Sequence, residues 1–170
     1  MPGRGSMEID VVMAGDPGMA AVIADIRAQG RQPVELPPWD LRVLVPYMVD
    51  EIIRRAEIEG PITVLRFHGS AAMDGGAVLN SQTVLVFGGD LALLRPHFAP
   101  GAHGELHGSR AGSGPWARIF LLNLAEAWGV PVSAGSRTQR SGHGRTFRFE
   151  GPVYTVYPNG RVTRTPPMRH

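Results

Sequence analysis

Cysteine is absent from this chain of 170 residues, and so is lysine: all 17 basic residues are arginine. Without a thiol there is no disulfide, no thiolate metal site and no cysteine nucleophile. The lysine gap reads as GC-rich bacterial coding ahead of selection against lysine modification, and arginine keeps its charge wherever it is placed and can fork onto carboxylates. No apolar run approaches the ~18 residues of a membrane span, and the basic-then-apolar layout of a signal peptide is missing. A soluble, cytoplasmic protein with no membrane partner is expected, with delivery as an effector or origin in a larger protein left open. Acids are scarce in the second part of the chain. After Glu105 only Glu126 and Glu150 stand against 9 arginines, a charge of +7, whereas residues 1–105 carry 8 arginines and 13 acids, a charge of −5. That basic end suits an anionic partner, an acidic face of the same molecule, or plain solvation. Aromatics, 7% of the chain, are not interleaved with these arginines, which disfavours nucleic acid.

What is present is an apolar content of 43%, enough for one core. Residues 1–7 read as a vector remnant or disordered start, Met7 being the alternative natural start, and residues 8–170 as a single α/β domain. Glu8 to Ala14 is a short apolar strand ended by Gly15-Asp16-Pro17-Gly18, and Met19, Val22, Ile23 and Ile26 recur at helical spacing up to Gly30. Residues 31–38, with three prolines, form a connector. Asp40 is placed to cap a helix to Glu59 with Leu44, Met48, Ile52 and Ala56 on one stripe, and Pro61 to Phe67 is a β-branched strand. Ala77–Leu79 and Thr83–Phe87 read as a hairpin around Asn80-Ser81-Gln82, Asp90 as the start of a short helix to Phe98, and His103 to His107 as a weak strand. Pro115 opens the clearest helix, closed at Gly129, and Val130 to Ala134 is the strand after it. Thr146–Phe149, Val153–Tyr157 and Arg161–Thr165 alternate like strands, the last two joined by Pro158-Asn159-Gly160. This order predicts an open, mostly parallel α/β sheet with helices on both faces and a C-terminal antiparallel hairpin, with ligand chemistry beyond the C-terminal strand ends.

Two segments carry the functional signal: Val64-Leu65-Arg66-Phe67-His68-Gly69-Ser70 and Glu105-Leu106-His107-Gly108-Ser109-Arg110-Ala111-Gly112. Each reads as a strand entering a glycine turn, and they would bring a histidine and a hydroxyl to neighbouring loops. With the helix 115–128 and Val130-Pro131-Val132-Ser133-Ala134-Gly135 behind them, they resemble the His-Gly and Gly-Cys signature of caspase-like cysteine peptidases, clan CD. The likeness is closest to an uncharacterised caspase-like domain of large bacterial surface and repeat proteins. It implies a caspase-like fold, His68 as the catalytic histidine, Ser109 at the nucleophile position, and Gly69 and Gly108 as turns that let backbone amides approach a substrate. Serine is a much poorer nucleophile than a thiolate in such a site. The resemblance therefore implies a non-catalytic peptide- or protein-recognition module. Its alternatives are a cysteine endopeptidase whose nucleophile was replaced by Ser109, or a turn serine and an accidental likeness. The resemblance also implies that Arg66, Arg110, Arg137 and Arg140 line a substrate pocket favouring an acidic side chain or carboxylate terminus, solvated loop arginines being the bland reading.

A rival constellation is His103, Glu105 and His107 at i, i+2 and i+4, one face of a strand. Two imidazoles and a carboxylate suit zinc or iron and would make a metal-binding domain or metallohydrolase. No fourth ligand is placed by the sequence, and no cofactor is expected. The oligomeric state is not legible.

Overall fold

The structure, a computed structural model, describes residues 7–13, 15–16, 18–69, 81–108, 113 and 115–165. Among them seven strands form one sheet: β1 (Met7–Met13), β2 (Val34–Leu36), β3 (Ile62–His68), β4 (Phe98–His107), β5 (Val132–Gly135), β6 (Val153–Val156) and β7 (Val162–Thr165). Their spatial order is β2-β1-β3-β4-β5-β6-β7. The first five pair in parallel and β6 and β7 add antiparallel. The helices are α1 (Met19–Ala28), α2 (Leu41–Glu59), α3 (Ser81–Val86), α4 (Gly88–Ala92) and α5 (Pro115–Trp128). None is long and apolar enough to cross a membrane.

Side chains alternate across a strand, and this decides the layers. Ile9, Val11, Leu65, Leu106 and Val132 join the buried stripes of α2, α4 and α5 in the main core. On the opposite face Val12 packs with Met19, Val22, Ile23 and Ile26 of α1 in a separate small core. Helices therefore cover both faces, α1 being the one on the second face among the described residues. The α2 start is the expected one, with the Asp40 side chain accepting from the Arg42 amide at 2.9 Å.

Several elements differ from the sequence reading for reasons of neighbourhood. Thr83–Phe87 is not half of a hairpin but mostly α3, because both edges of β3 are already occupied by β1 and β4. The other proposed half, Ala77–Leu79, lies outside the described residues. The helix expected from Asp90 to Phe98 is cut short at Ala92, a 3₁₀ turn spans Arg95–His97, and Phe98 already belongs to β4. Pro96 accounts for this, since it has no N–H to donate to Ala92 and so cannot continue the α-helical ladder. The weak strand at His103 to His107 is the second half of a ten-residue central strand. β2 lies inside the proline-rich connector, where edge position tolerates Pro33 and Pro37 on either side. Met7, set apart in the sequence reading, pairs with Ile62 as the first residue of β1.

Candidate functional site

On the α1 face, β1, β3 and β4 present charge instead of hydrocarbon. The register aligns Asp10 with Arg66, Arg66 with Glu105, Glu105 with Ser133 and Ser133 with Thr155, so one polar row crosses five strands. Arg66 is held by Glu8 at 2.5 Å and Glu105 at 3.2 Å, with Asp10 3.7 Å away. Arg31, arriving after α1, donates to Asp10 at 3.1 Å and to Glu8 at 3.2 Å. Further along the row Ser133 and Thr155 share a 2.6 Å hydroxyl hydrogen bond.

His68 ends β3 with its side chain only 1% exposed, and its Nε2–H donates to Asp10 at 2.8 Å. Burial pushes the His68 ring below the ordinary histidine range, and the nearby His107 and Arg66 add to that against the pull of Asp10. Burial alone would raise Asp10; the His68 hydrogen bond and the charges of Arg66 and Arg31 outweigh it and hold the carboxyl below its usual value. The imidazole is thus neutral beside an ionised carboxylate, and its Nδ1 has no hydrogen-bond partner among the described residues.

Phe147 and Phe149 close this layer from above. The Phe147 ring lies 5.1 Å from both the Arg31 and the Arg66 guanidinium carbons. Phe149 stacks on His107 at 4.3 Å and 10°, and His107 on His68 at 5.2 Å and 23°. The expected strand Thr146–Phe149 is therefore a strap: its alternation does put two aromatics on one side, but β6 is already flanked by β5 and β7. Asp25 of α1 pins the strap by accepting from the Thr146 hydroxyl at 2.6 Å and from the Gly144 amide at 2.9 Å. Gly142, at φ 79°, lies so close to α1 that a Cβ would come within 2.5 Å of the Ala21 methyl. Asp25→Ala should therefore cost about 1 kcal/mol and speed hydrogen exchange of the Gly144 amide, with amides in β1 unchanged; equal acceleration in both would show that Asp25 does not act locally.

The residues singled out from sequence separate into two groups. His68 and His107 are register partners on adjacent parallel strands, so Gly69 and Gly108 leave the sheet side by side at its C-terminal edge. Ser109 and Arg110, which follow, lie outside the described residues. Arg66 is 8% exposed and engaged with three carboxylates beneath the strap, not in an open pocket. Arg137 and Arg140 are exposed and line a cleft of about 760 Å³ beyond the end of β5, with Ser113, Ser136, Thr138 and Glu150. Gln139 shapes that cleft by holding the Glu150 backbone from both sides, accepting from its amide at 2.8 Å and donating to its carbonyl at 3.0 Å.

His103, Glu105 and His107 do share one face of β4, but each imidazole Nε2–H donates to a different Glu105 oxygen at 2.7 Å. Burial would raise Glu105; the hydrogen bonds from His103 and His107, with the His107 and Arg66 charges, hold it far below the usual carboxylate range. Among the described residues no group of three or more His, Asp or Glu side chains is placed to hold a metal ion. Sequence reasoning missed Glu8, Asp10, Arg31, Phe147 and Phe149. The signal for the first two was visible as acids at every second position of an otherwise apolar strand, matched by Arg66-x-His68 and by His103-x-Glu105-x-His107.

No family model, curated protein or solved structure matches this chain. The case for a function therefore rests on this geometry and on the residues that carry the caspase-like resemblance.

Proposed function

We propose that this chain is a non-catalytic peptide-recognition module on a caspase-like scaffold, binding carboxylate-bearing peptides at the C-terminal edge of its sheet. One contrast carries the reading. The histidine at that edge is buried and tied to Asp10, whereas the neighbouring cleft is open and lined by two exposed arginines, Arg137 and Arg140. A general base must reach the proton it removes, and a ring with 1% side-chain exposure beneath a strap is poorly placed to do so. Exposed guanidinium groups beside hydroxyls of Ser136 and Thr138 suit a carboxylate, through charge-assisted and forked hydrogen bonds.

Fluorescence polarisation with labelled peptides ending in a free Asp, set against the same peptides ending in Asn-amide, tests the binding. The Asp peptides should bind at least tenfold tighter, and Arg137→Ala with Arg140→Ala should erase the difference, since hydrogen bonds to charged groups are worth about 1.5–3 kcal/mol. Equal affinity for both peptide sets would refute carboxylate recognition. Ser109→Cys should remain silent on peptide substrates; cleavage that disappears again in His68→Ala would favour the alternative, a peptidase with a replaced nucleophile.

A further inference from the structure

We infer that the pocket between α5 and the β6–β7 hairpin is a second subsite, which takes an aliphatic side chain adjoining the carboxylate bound by Arg137 and Arg140. The inference rests on the carboxylate reading above and adds to it the apolar half of the ligand.

The sheet extends two strands past β5, and of the hairpin's inward residues Tyr154 and Val162 are only partly covered. Tyr154 pairs with Ala134 and Val156 with Val132, which puts both on the face that α5 covers. Val162 pairs with Val156 and continues that face onto the edge strand β7. The resulting cavity is about 280 Å³, with fully buried Leu121 and Val156 at its floor and Tyr154 and Val162 at its sides. Ligand sites for whole small molecules and cofactors run to about 300–1,000 Å³, so this volume suits one side chain. Leu121, Val156 and Val162, with the Tyr154 ring, would meet an aliphatic one, while Ser113, Ser136 and Arg118 line the remaining side.

Two features connect the pocket to the cleft. Ser113 and Ser136 line both cavities, so they are contiguous. The charge is also one-sided: Arg118 stands at the pocket, Arg137 and Arg140 in the cleft, and among the described residues Glu150 is the one acid lining either cavity. A ligand filling both would be apolar at one end and anionic at the other. An acidic peptide with an aliphatic residue beside its carboxylate has that chemistry.

Three probes separate the subsites: acetyl-Leu-Asp, acetyl-Ala-Asp and acetyl-Leu-Asn-amide, titrated into the full chain and followed by methyl NMR. Acetyl-Leu-Asp should bind about tenfold tighter than acetyl-Ala-Asp and shift the Leu121, Val156 and Val162 methyls in a saturable way. Val162→Trp, which fills the pocket from the edge strand, should remove the Leu-over-Ala preference and leave the Asp-over-Asn-amide preference intact. If the carboxylate preference stands while Leu and Ala bind alike, or if Val162→Trp changes nothing, the subsite is overturned and the carboxylate reading survives. If acetyl-Leu-Asp and acetyl-Leu-Asn-amide bind alike yet shift these methyls, the carboxylate reading fails and an apolar site remains. Unmoved methyls with all three probes overturn the subsite outright.

Discussion

Asp10→Ala should destabilise the protein by about 3–5 kcal/mol, the usual cost of removing one partner from a buried charge pair. Asp10 has no exposed side-chain surface and meets Arg31, Arg66 and His68 within 3.7 Å. Glu8 and Glu105 would still hold Arg66, and Glu8 would still hold Arg31, so the damage falls on His68 and on the balance of charge around it. Asp10→Asn keeps the shape and an acceptor for His68 and should lie between wild type and Asp10→Ala. Urea unfolding followed by circular dichroism reads both. A loss under 1 kcal/mol for Asp10→Ala would show that the row is an ornament of the sheet and not a constraint on it.

The same row sets the pH dependence. His68 is depressed in the fold, so the unfolded chain takes up a proton near pH 6.5 that the folded chain refuses. Stability should therefore be complete above about pH 6.5 and decline below it, by up to about 1.4 kcal/mol per pH unit for one proton. Asp10 and Glu105 are also depressed, and their contribution is present above about pH 4 and lost as the pH falls further. Unfolding midpoints measured from pH 8 to 3 should show two stages, and His68→Gln should abolish the upper one alone.

Trp128→Ala should cost about 3–5 kcal/mol, the range for emptying a buried aromatic site. The indole is fully buried, stacks on Phe67 at 5.7 Å and 15°, and meets Phe98 at 6.0 Å. It lies against Gly104 of β4 so closely that a Cβ there would come within 2.8 Å of the ring. Gly104→Val should then lose about 1–3 kcal/mol by overpacking. Combining Gly104→Val with Trp128→Leu should cost clearly less than the two losses added, because the valine occupies space the indole vacates. Simple additivity would mean that the two sites do not share that space. Trp128→Phe is the mild control, since the indole N–H has no hydrogen-bond partner among the described residues to lose.

Gly104 also shows why part of the fold was hard to read. A glycine in a polar segment with no β-branched residue, as in 98–107, argues against a strand by local propensity. In the fold it is the central parallel strand, and its glycine is the room made for a side chain that comes twenty-four positions later from α5. The expected hairpin at Thr83–Phe87 and strand at Thr146–Phe149 failed for the converse reason. Both have strand-forming residues, but the strands nearest them in the chain, β3 and β6, are already paired on both sides. The candidate site was half legible: the adjacency of Gly69 and Gly108 and the single face of His103, Glu105 and His107 followed from strand ends and spacing. The role of Arg66 did not follow, because its three carboxylate partners come from two other strands.

By itself the sequence determined where β1, α1, α2, β3, α5 and the final hairpin lie, and which side chains within each strand share a face, because helix and strand periods are local properties of the chain. It determined equally that no thiol chemistry is available. Only the tertiary structure decided which strand lies beside which, and hence that Asp10, Arg66 and Glu105 form one row under Phe147 while Arg137 and Arg140 stay open to solvent. A period of two tells which way a side chain points and nothing about what it meets. That partner is fixed by strand order and register, which are set by contacts between residues far apart in the chain.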